Sequence, residues 1–297
     1  MKTSQTVASA PAAPQLARAA WRERRLTVPG VPGIALFEAG RDDANAPVLV
    51  LVHGMGHWTQ AAWDLLAAEF EATHRIVAFD LPGFGASDKP RAAYTLAFFG
   101  GVLDAVLRAT VTGPFALAGH SLGGLIAADF AARRPADVRT LTLIAPAGFL
   151  RTPKLVLRVM GSRPVTALMG AVKPSRGFVI RTLETAVDDP RTIPDAHRER
   201  AVELAADPAL TRAFLGVYAG AMKEMIHMRE LHARFAAWRG PTLIAWGRRD
   251  RFIPIRALAA ARAVYPGADV LEIERCGHCP NLEAPGLVAA RMRALGA

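Results

Sequence analysis

One segment of the chain predicts a strand, a sharp turn and a helix in immediate succession. The apolar residues 115–118 (FALA) lead directly into residues 119–124 (GHSLGG), with Ser121 at the apex. Glycines on both sides allow the strand and the helix to approach closely, and such a turn lifts the serine hydroxyl clear of the sheet. The backbone N–H of Leu122, at the start of the helix, points toward any anion that forms beside that hydroxyl. Ser121 is therefore a candidate nucleophile.

A serine hydroxyl is a poor nucleophile near neutral pH and needs a histidine base with a carboxylate to orient it. Residues 241–247 (PTLIAWG) predict a buried strand, and Asp250 follows in the next polar loop. Residues 268–274 predict another strand, after which His278 lies in residues 275–280 (RCGHCP). Serine, aspartate and histidine, each just past a separate strand, occur in the chain order of one known triad architecture. We expect Ser121, Asp250 and His278 to form a catalytic triad.

The chain resembles the α/β-hydrolase superfamily in four separate motifs. Besides the serine turn, residues 51–56 (LVHGMG) are similar to the family's oxyanion loop, residues 79–87 (FDLPGFGAS) to its D-x-x-G-x-G-x-S turn, and residues 277–285 (GHCPNLEAP) to its histidine loop. The resemblance implies that the backbone N–H of Met55 is the second oxyanion donor, beside that of Leu122. His57 and Trp58, which follow the oxyanion loop, are candidates for contact with substrate.

The predicted fold class is α/β, namely an α/β-hydrolase fold with a mainly parallel, doubly wound sheet and a helical cap insertion. Strands and helices alternate at short spacings through residues 26–146 and again through 241–297, which predicts helices on both faces of that sheet. A chain of 297 residues with 52% hydrophobic residues can bury a large core. The active site is expected along the carboxyl edge of the strands.

The alternation stops in residues 147–240, a stretch too long for a structureless loop. Its apolar segments are separated by prolines and predict short helices. Helices inserted at this point resemble the cap of the family, which implies a shielded, apolar substrate pocket. Residues 1–25, rich in Ala, Pro, Ser and Gln, are expected to form a disordered tail.

Composition limits the classes of partner. The net charge of +10 comes mostly from arginines scattered through every segment, so no nucleic-acid-binding stripe is predicted. No apolar run approaches the roughly 20 residues of a spanning helix, so no membrane span is predicted.

Cys276 and Cys279 have C-x-x-C spacing but lie on either side of the triad histidine, and no further ligands for zinc accompany them. Whether they form a disulfide is left open. We expect no cofactor, no metal and a cytoplasmic location, with secretion left open.

These observations predict a serine hydrolase of the carboxylesterase type, acting on esters of small to medium apolar substrates through an acyl-enzyme. The same motifs allow a C–C bond hydrolase of ring-fission diketones, or a lactone or thioester hydrolase. A non-hydrolytic lyase or a ligand receptor on the same fold is the remote alternative, because fold alone does not name a function. The substrate is expected to be a small molecule, and the sequence leaves the oligomeric state open.

Overall fold

A mainly parallel sheet of nine strands runs through the part of the chain that the computed structural model describes, residues 5–7 and 17–297. The strands, in chain order, are β1 (Gln5–Val7), β2 (Arg22–Val28), β3 (Val31–Gly40), β4 (Val48–Val52), β5 (Arg75–Phe79), β6 (Phe115–His120), β7 (Val138–Ile144), β8 (Thr242–Gly247) and β9 (Asp269–Ile273). Their order across the sheet is β1-β9-β8-β7-β6-β4-β5-β3-β2. Only the pairings of β3 with β2 and with β5 are antiparallel. The predicted α/β-hydrolase fold class is confirmed.

Helices connect the strands and cover both faces of the sheet. They are α1 (Thr59–Ala68), α2 (Leu96–Thr110), α3 (Leu122–Arg133), α4 (Lys154–Met160), α5 (Arg163–Ala171), α6 (Arg176–Thr185), α7 (Asp195–Ala205), α8 (Pro208–Met225), α9 (Met228–Phe235), α10 (Leu258–Val264), α11 (Pro280–Glu283) and α12 (Pro285–Leu295), with short 3₁₀ helices at Pro190–Thr192 and Ile255–Ala257.

The central strand β4 shows how the sequence builds two cores. Val50 and Val52 point into one hydrophobic cluster, and Leu49 and Leu51 into the cluster on the opposite face. Successive side chains of a strand point to opposite faces, so a strand buried on both sides must be apolar throughout. Strands β4, β6, β8 and β9 are parallel to one another, so their carboxyl ends lie along one edge of the sheet.

The N-terminal segment differs from the disordered tail expected at residues 1–25. Strand β1 pairs with β9 at one edge of the sheet, and β2, which begins at Arg22, pairs with β3 at the other. Ion pairs from Arg24 to Glu38 (2.9 Å) and from Arg25 to Asp88 (2.7 Å) hold β2 in place. Its sequence, RERRLTV, lacks apolar alternation because an edge strand is largely exposed. Residues 1–4 and 8–16 of the expected tail lie outside the described residues.

Residues 147–240, called the cap segment below, connect β7 to β8, which are neighbours in the sheet. The segment contains the helices α4 to α9. It is tied to the core by an ion pair from Arg234 on α9 to Asp129 on α3 (2.8 Å). Within the segment, the His232 ring hydrogen-bonds the carbonyl of Gly148 (2.8 Å).

Candidate active site

Ser121 occupies the turn between β6 and α3. Its backbone has φ 53° and ψ −115°, a conformation that non-glycine residues rarely adopt. A Cβ atom added at Gly119 would lie 2.3 Å from the carbonyl oxygen of Gly123, and one added at Gly123 would lie 2.0 Å from that of Val52. The strand and the helix therefore approach more closely than any side chain would permit, which is the sharp turn that the two glycines predicted.

Two backbone N–H groups beside this turn are available to an anion. Within the part of the chain that the structure describes, neither Met55 nor Leu122 has a hydrogen-bond acceptor for its N–H. The loop that carries Met55 is fixed by the buried ring of His53, whose Nδ1 lies 2.7 Å from the Gly54 carbonyl and whose Nε2 accepts from the N–H of Leu81 (2.8 Å). These contacts assign the proton of His53 to Nδ1. Burial lowers the pKa of His53 and keeps the ring neutral.

Asp250 and His278 are joined by a short hydrogen bond. Asp250 lies in the loop after β8, and its Oδ2 is 2.8 Å from Nδ1 of His278, in the loop after β9. Both side chains are buried, with 0% and 7% of their respective surfaces exposed. The other carboxylate oxygen, Oδ1, accepts from the N–H groups of Phe252 and Ile253, both at 2.8 Å. Because the carboxylate accepts at Nδ1, the imidazole presents Nε2 as a proton acceptor.

The serine and the histidine are linked through a neighbouring ring. His120, adjacent to Ser121, has its ring centroid 4.8 Å from that of His278, and its Nε2 donates to the His278 carbonyl at 2.9 Å. Among the described residues no hydrogen bond joins the Ser121 hydroxyl to His278. Hydrogen bonds of this kind are often long in ligand-free enzymes and tighten when substrate binds.

Two further histidine rings, those of His120 and His57, lie near the candidate base. His120 is fully buried, and desolvation holds its pKa well below the ordinary value. The ring of His57 is 5.6 Å from that of His120. Desolvation, aided by the neighbouring histidines, lowers the pKa of His57 to about 3 although part of this residue is exposed. Both rings are therefore neutral near pH 7.

Glu283 organises the loop that carries His278, a role that sequence reasoning missed. Its Oε1 accepts from the backbone N–H groups of Gly277 (2.8 Å) and Cys279 (3.4 Å). Its Oε2 accepts from the backbone N–H of Asp188 in the cap segment (2.6 Å). Burial raises the pKa of Glu283 against the lowering effect of these donors. The only sequence signal for this role is the position of a glutamate five residues after the histidine.

The two cysteines of this loop are free thiols. Cys276 and Cys279 are both buried, and burial raises the pKa of each well above its ordinary value. Since the thiolate is the reactive form, neither is poised for nucleophilic chemistry.

The nearby cavities differ in position and lining. A cavity of about 320 Å³ lies beside Trp58, between β2, the turn after β5 and α7, and none of Ser121, Asp250 and His278 lines it. Trp58 is buried there with its ring 5.7 Å from that of His197. A second space of only about 10 Å³ adjoins the serine turn under α8, lined by Tyr94, Leu96, Phe99, Leu122, Leu125, Val217, Ala221 and Glu224. Of the residues proposed to contact substrate, His57 is thus nearer to the candidate triad than Trp58.

Metal-ligand clusters and membrane-spanning helices are both absent from the part of the chain that the structure describes. Among residues 5–7 and 17–297, no group of three or more His, Cys, Asp and Glu side chains is arranged to hold a metal ion. None of the helices within those ranges has the length and apolar character needed to cross a bilayer.

Comparison with known proteins identifies the family to which this fold belongs. Residues 47–285 match the family model described as the alpha/beta hydrolase fold. The chain belongs to the α/β-hydrolase family. This hydrolase is 28% identical to Lipase 1 of Psychrobacter immobilis over 256 residues, 80% of this chain and 72% of the lipase. It is 27% identical to the 2-hydroxymuconate semialdehyde hydrolase of Pseudomonas sp. (strain CF600) over 242 residues, 79% of this chain and 81% of that enzyme.

A solved structure extends the likeness to three dimensions. The crystal structure of a membrane phospholipase A, a bacterial virulence factor, superposes with a TM-score of 0.73 at 28% identity, covering 93% of this chain and 85% of that one. The relatives thus include a lipase, a phospholipase and a 2-hydroxymuconate semialdehyde hydrolase.

Proposed function

We propose that this chain is a serine hydrolase that cleaves carboxylic esters of small to medium apolar substrates through an acyl-enzyme. The observation that carries the proposal is the pairing of two features at one edge of the sheet. Ser121, on the turn, has a left-handed backbone conformation. It lies beside the N–H groups of Met55 and Leu122, which have no hydrogen-bond acceptor among the described residues. The imidazole of His278 is held by Asp250 with Nε2 left as acceptor.

In the first half-reaction, Ser121 Oγ attacks the ester carbonyl carbon while its proton passes to Nε2 of His278. The N–H groups of Met55 and Leu122 stabilise the developing oxyanion, each contributing on the order of 3 kcal/mol to the lowering of the barrier. Collapse of the tetrahedral intermediate breaks the bond to the alcohol oxygen, which takes the proton from His278. Asp250 stabilises the imidazolium in between.

In the second half-reaction, water repeats the sequence. His278 removes a proton from water, the hydroxyl adds to the acyl carbon, and Ser121 Oγ leaves with that proton. The proton that Ser121 lost has left with the alcohol, and a proton from water restores the Ser121 hydroxyl as the carboxylic acid is released.

The ester hypothesis is favoured over cleavage of ring-fission diketones by the space next to the serine turn. Its lining is apolar except for Glu224, whose Oε1 accepts from the N–H of Leu96 (3.0 Å). A carboxylate in that position disfavours a substrate with its own carboxylate, such as a dienoate. The likeness to the 2-hydroxymuconate semialdehyde hydrolase nevertheless supports C–C cleavage as a second candidate.

The test is hydrolysis of p-nitrophenyl esters by the parent and by Ser121→Ala. We expect turnover to fall by several orders of magnitude in the variant with the fold retained, because the nucleophile is lost and the hydroxyl of the half-buried Ser121 has no hydrogen-bond partner among the described residues. Circular dichroism checks the fold, and Ser162→Ala in the cap segment is the matched control. Equal rates for Ser121→Ala and parent would contradict the mechanism.

A substrate panel separates the two candidates. A series of apolar esters, a lactone, a thioester and a ring-fission dienoate are compared at equal enzyme concentration. We expect the highest kcat/KM with an ester. A higher value with the dienoate would replace ester hydrolysis by C–C bond hydrolysis.

A further inference from the structure

Exposed apolar side chains are concentrated in the part of the cap segment between Leu155 and Phe178. Leu155 and Leu168 are each 71% exposed, Val172 is 66% exposed and Phe178 is 59% exposed. Eight of the nine large apolar residues that are exposed in the described part of the chain lie between residues 155 and 178; they are Leu155, Val156, Val159, Met160, Leu168, Met169, Val172 and Phe178. We call these eight residues the cap face. A concentration of this kind marks an interaction surface rather than ordinary scatter.

The helices of the cap face use their other sides for packing. A Cβ atom added at Gly161 would lie 2.8 Å from Cβ of Met222, and one added at Gly170 would lie 2.9 Å from Cδ1 of Leu215, so both glycines meet α8. Leu157 of α4 is buried, whereas Leu155 and Val159, one turn apart, are exposed. The internal packing of the cap segment is thus satisfied without the cap face.

Positively charged residues are interspersed with the residues of the cap face along the sequence. Residues 138–183 contain no aspartate or glutamate. The seven cations of residues 151–181 are all exposed; they are Arg151, Lys154, Arg158, Arg163, Lys173, Arg176 and Arg181. Within the described residues only Arg176 has an acidic partner, Glu199 at 2.6 Å. This short stretch therefore carries seven positive charges and no negative charge, in a chain whose net charge is +10.

We propose that the cap face binds the surface of an anionic lipid bilayer. Apolar side chains on short helices insert at the boundary between headgroups and acyl chains, and flanking Lys and Arg side chains attract anionic headgroups. A second copy of the chain is disfavoured as the occupant, because two cap faces would bring six positive charges that have no acidic partner among the described residues against six others. A nucleic acid is disfavoured because only one of the eight side chains of the cap face, that of Phe178, is aromatic and able to stack on a base.

The proposal is tested by flotation with lipid vesicles. Vesicles of phosphatidylcholine containing phosphatidylglycerol are compared with vesicles of phosphatidylcholine alone, at low and at high NaCl concentration. We expect partition onto the anionic vesicles to exceed that onto neutral vesicles by at least about tenfold, and to fall at high salt as the charges are screened. Ser121→Ala should bind as the parent does, so that failure of lipid binding and failure of the proposed hydrolysis are distinguishable.

Three variants assign the binding to the cap face. The charge variant Arg158→Gln/Lys173→Gln/Arg181→Gln and the apolar variant Leu155→Ser/Leu168→Ser/Phe178→Ser should each lower the partition coefficient at least about tenfold. The matched control is Arg91→Gln/Arg239→Gln/Arg256→Gln. It removes the same charge from exposed arginines that have no acidic partner among the described residues. It should bind within about twofold of the parent.

Four outcomes would overturn the proposal. They are equal partition onto neutral and anionic vesicles, no binding to either, an equal loss in the control variant, and self-association of the free protein that the apolar variant abolishes. All of the substituted side chains are exposed, so loss of the fold is not expected; circular dichroism of each variant verifies this.

Discussion

His120 is a single residue whose side chain does more than the sequence indicated. The sequence shows it only as the residue before Ser121 in the serine turn. In the structure its ring donates to the His278 carbonyl and lies against the His278 ring. It therefore connects the turn that carries the candidate nucleophile to the loop that carries the candidate base.

The buried neutral state of His120 has a consequence for stability. Its pKa is well below 6.5 in the folded protein because of desolvation, so the unfolded chain binds the proton more readily. The contribution of His120 to stability is therefore fully present above about pH 6.5 and is lost as the pH falls below that value. The loss amounts to about 1.4 kcal/mol per pH unit for one such group until the folded ring itself titrates.

We predict that His120→Gln flattens the dependence of unfolding free energy on pH below about 6.5. Glutamine keeps an N–H donor for the His278 carbonyl and does not titrate. Urea unfolding at a series of pH values measures the effect, with replacement of the exposed His227 by Gln as the control. A His120→Gln profile as steep as that of the parent would refute this account of the ring.

At the same scale, the three candidate catalytic residues were predictable because each follows a recognisable strand. The Asp250–His278 hydrogen bond was expected from the chain order and is present. The contacts of His120 were not predictable, since they join residues 158 positions apart.

Among the elements, the loop from β9 to α11 depends on one buried carboxylate. Glu283 binds N–H groups at Gly277 and Cys279 within the loop and at Asp188 in the cap segment. It makes no contact with a reacting atom, so its role is to position His278.

We predict that Glu283→Ala lowers kcat roughly 10- to 100-fold, because a small displacement of the base is costly. KM should change little, and Glu283→Gln should recover part of the rate because its amide oxygen still accepts. The buried thiols of Cys276 and Cys279 should react faster with a thiol reagent in the alanine variant, which reports opening of the loop. Glu274→Ala, an exposed acid on the same loop, is the control. Unchanged kcat in Glu283→Ala would contradict a positioning role.

The elements that sequence analysis placed correctly are those with apolar periodicity. Strand β8 was expected within residues 241–247 and is found at Thr242–Gly247. Strand β2 and helix α7 were missed because both are rich in charged side chains, RERRLTV and DAHRERAVELA. Helices α11 and α12 are separated at Ala284, before Pro285, because proline cannot continue the hydrogen bonding of α11.

For the whole molecule, the alternation of strands and helices in the sequence predicted the parallel α/β arrangement. The strand order and the pairing of β1 with β9 were not predictable, because they depend on long-range contacts that no local pattern encodes. The substrate pocket expected beneath the cap is likewise a property of packing. The larger cavity lies beside Trp58, away from the candidate triad, and the space at the serine turn is small.

The central claim is that the fold delivers an activated serine hydroxyl at residue 121. Its most direct measurement is covalent labelling with a fluorophosphonate probe, followed by mass spectrometry of the peptides. We predict one modified residue, Ser121, with labelling abolished in Ser121→Ala and strongly slowed in His278→Asn. Absence of labelling in the active parent protein, or modification at a different serine with Ser121 unmodified, would contradict the account.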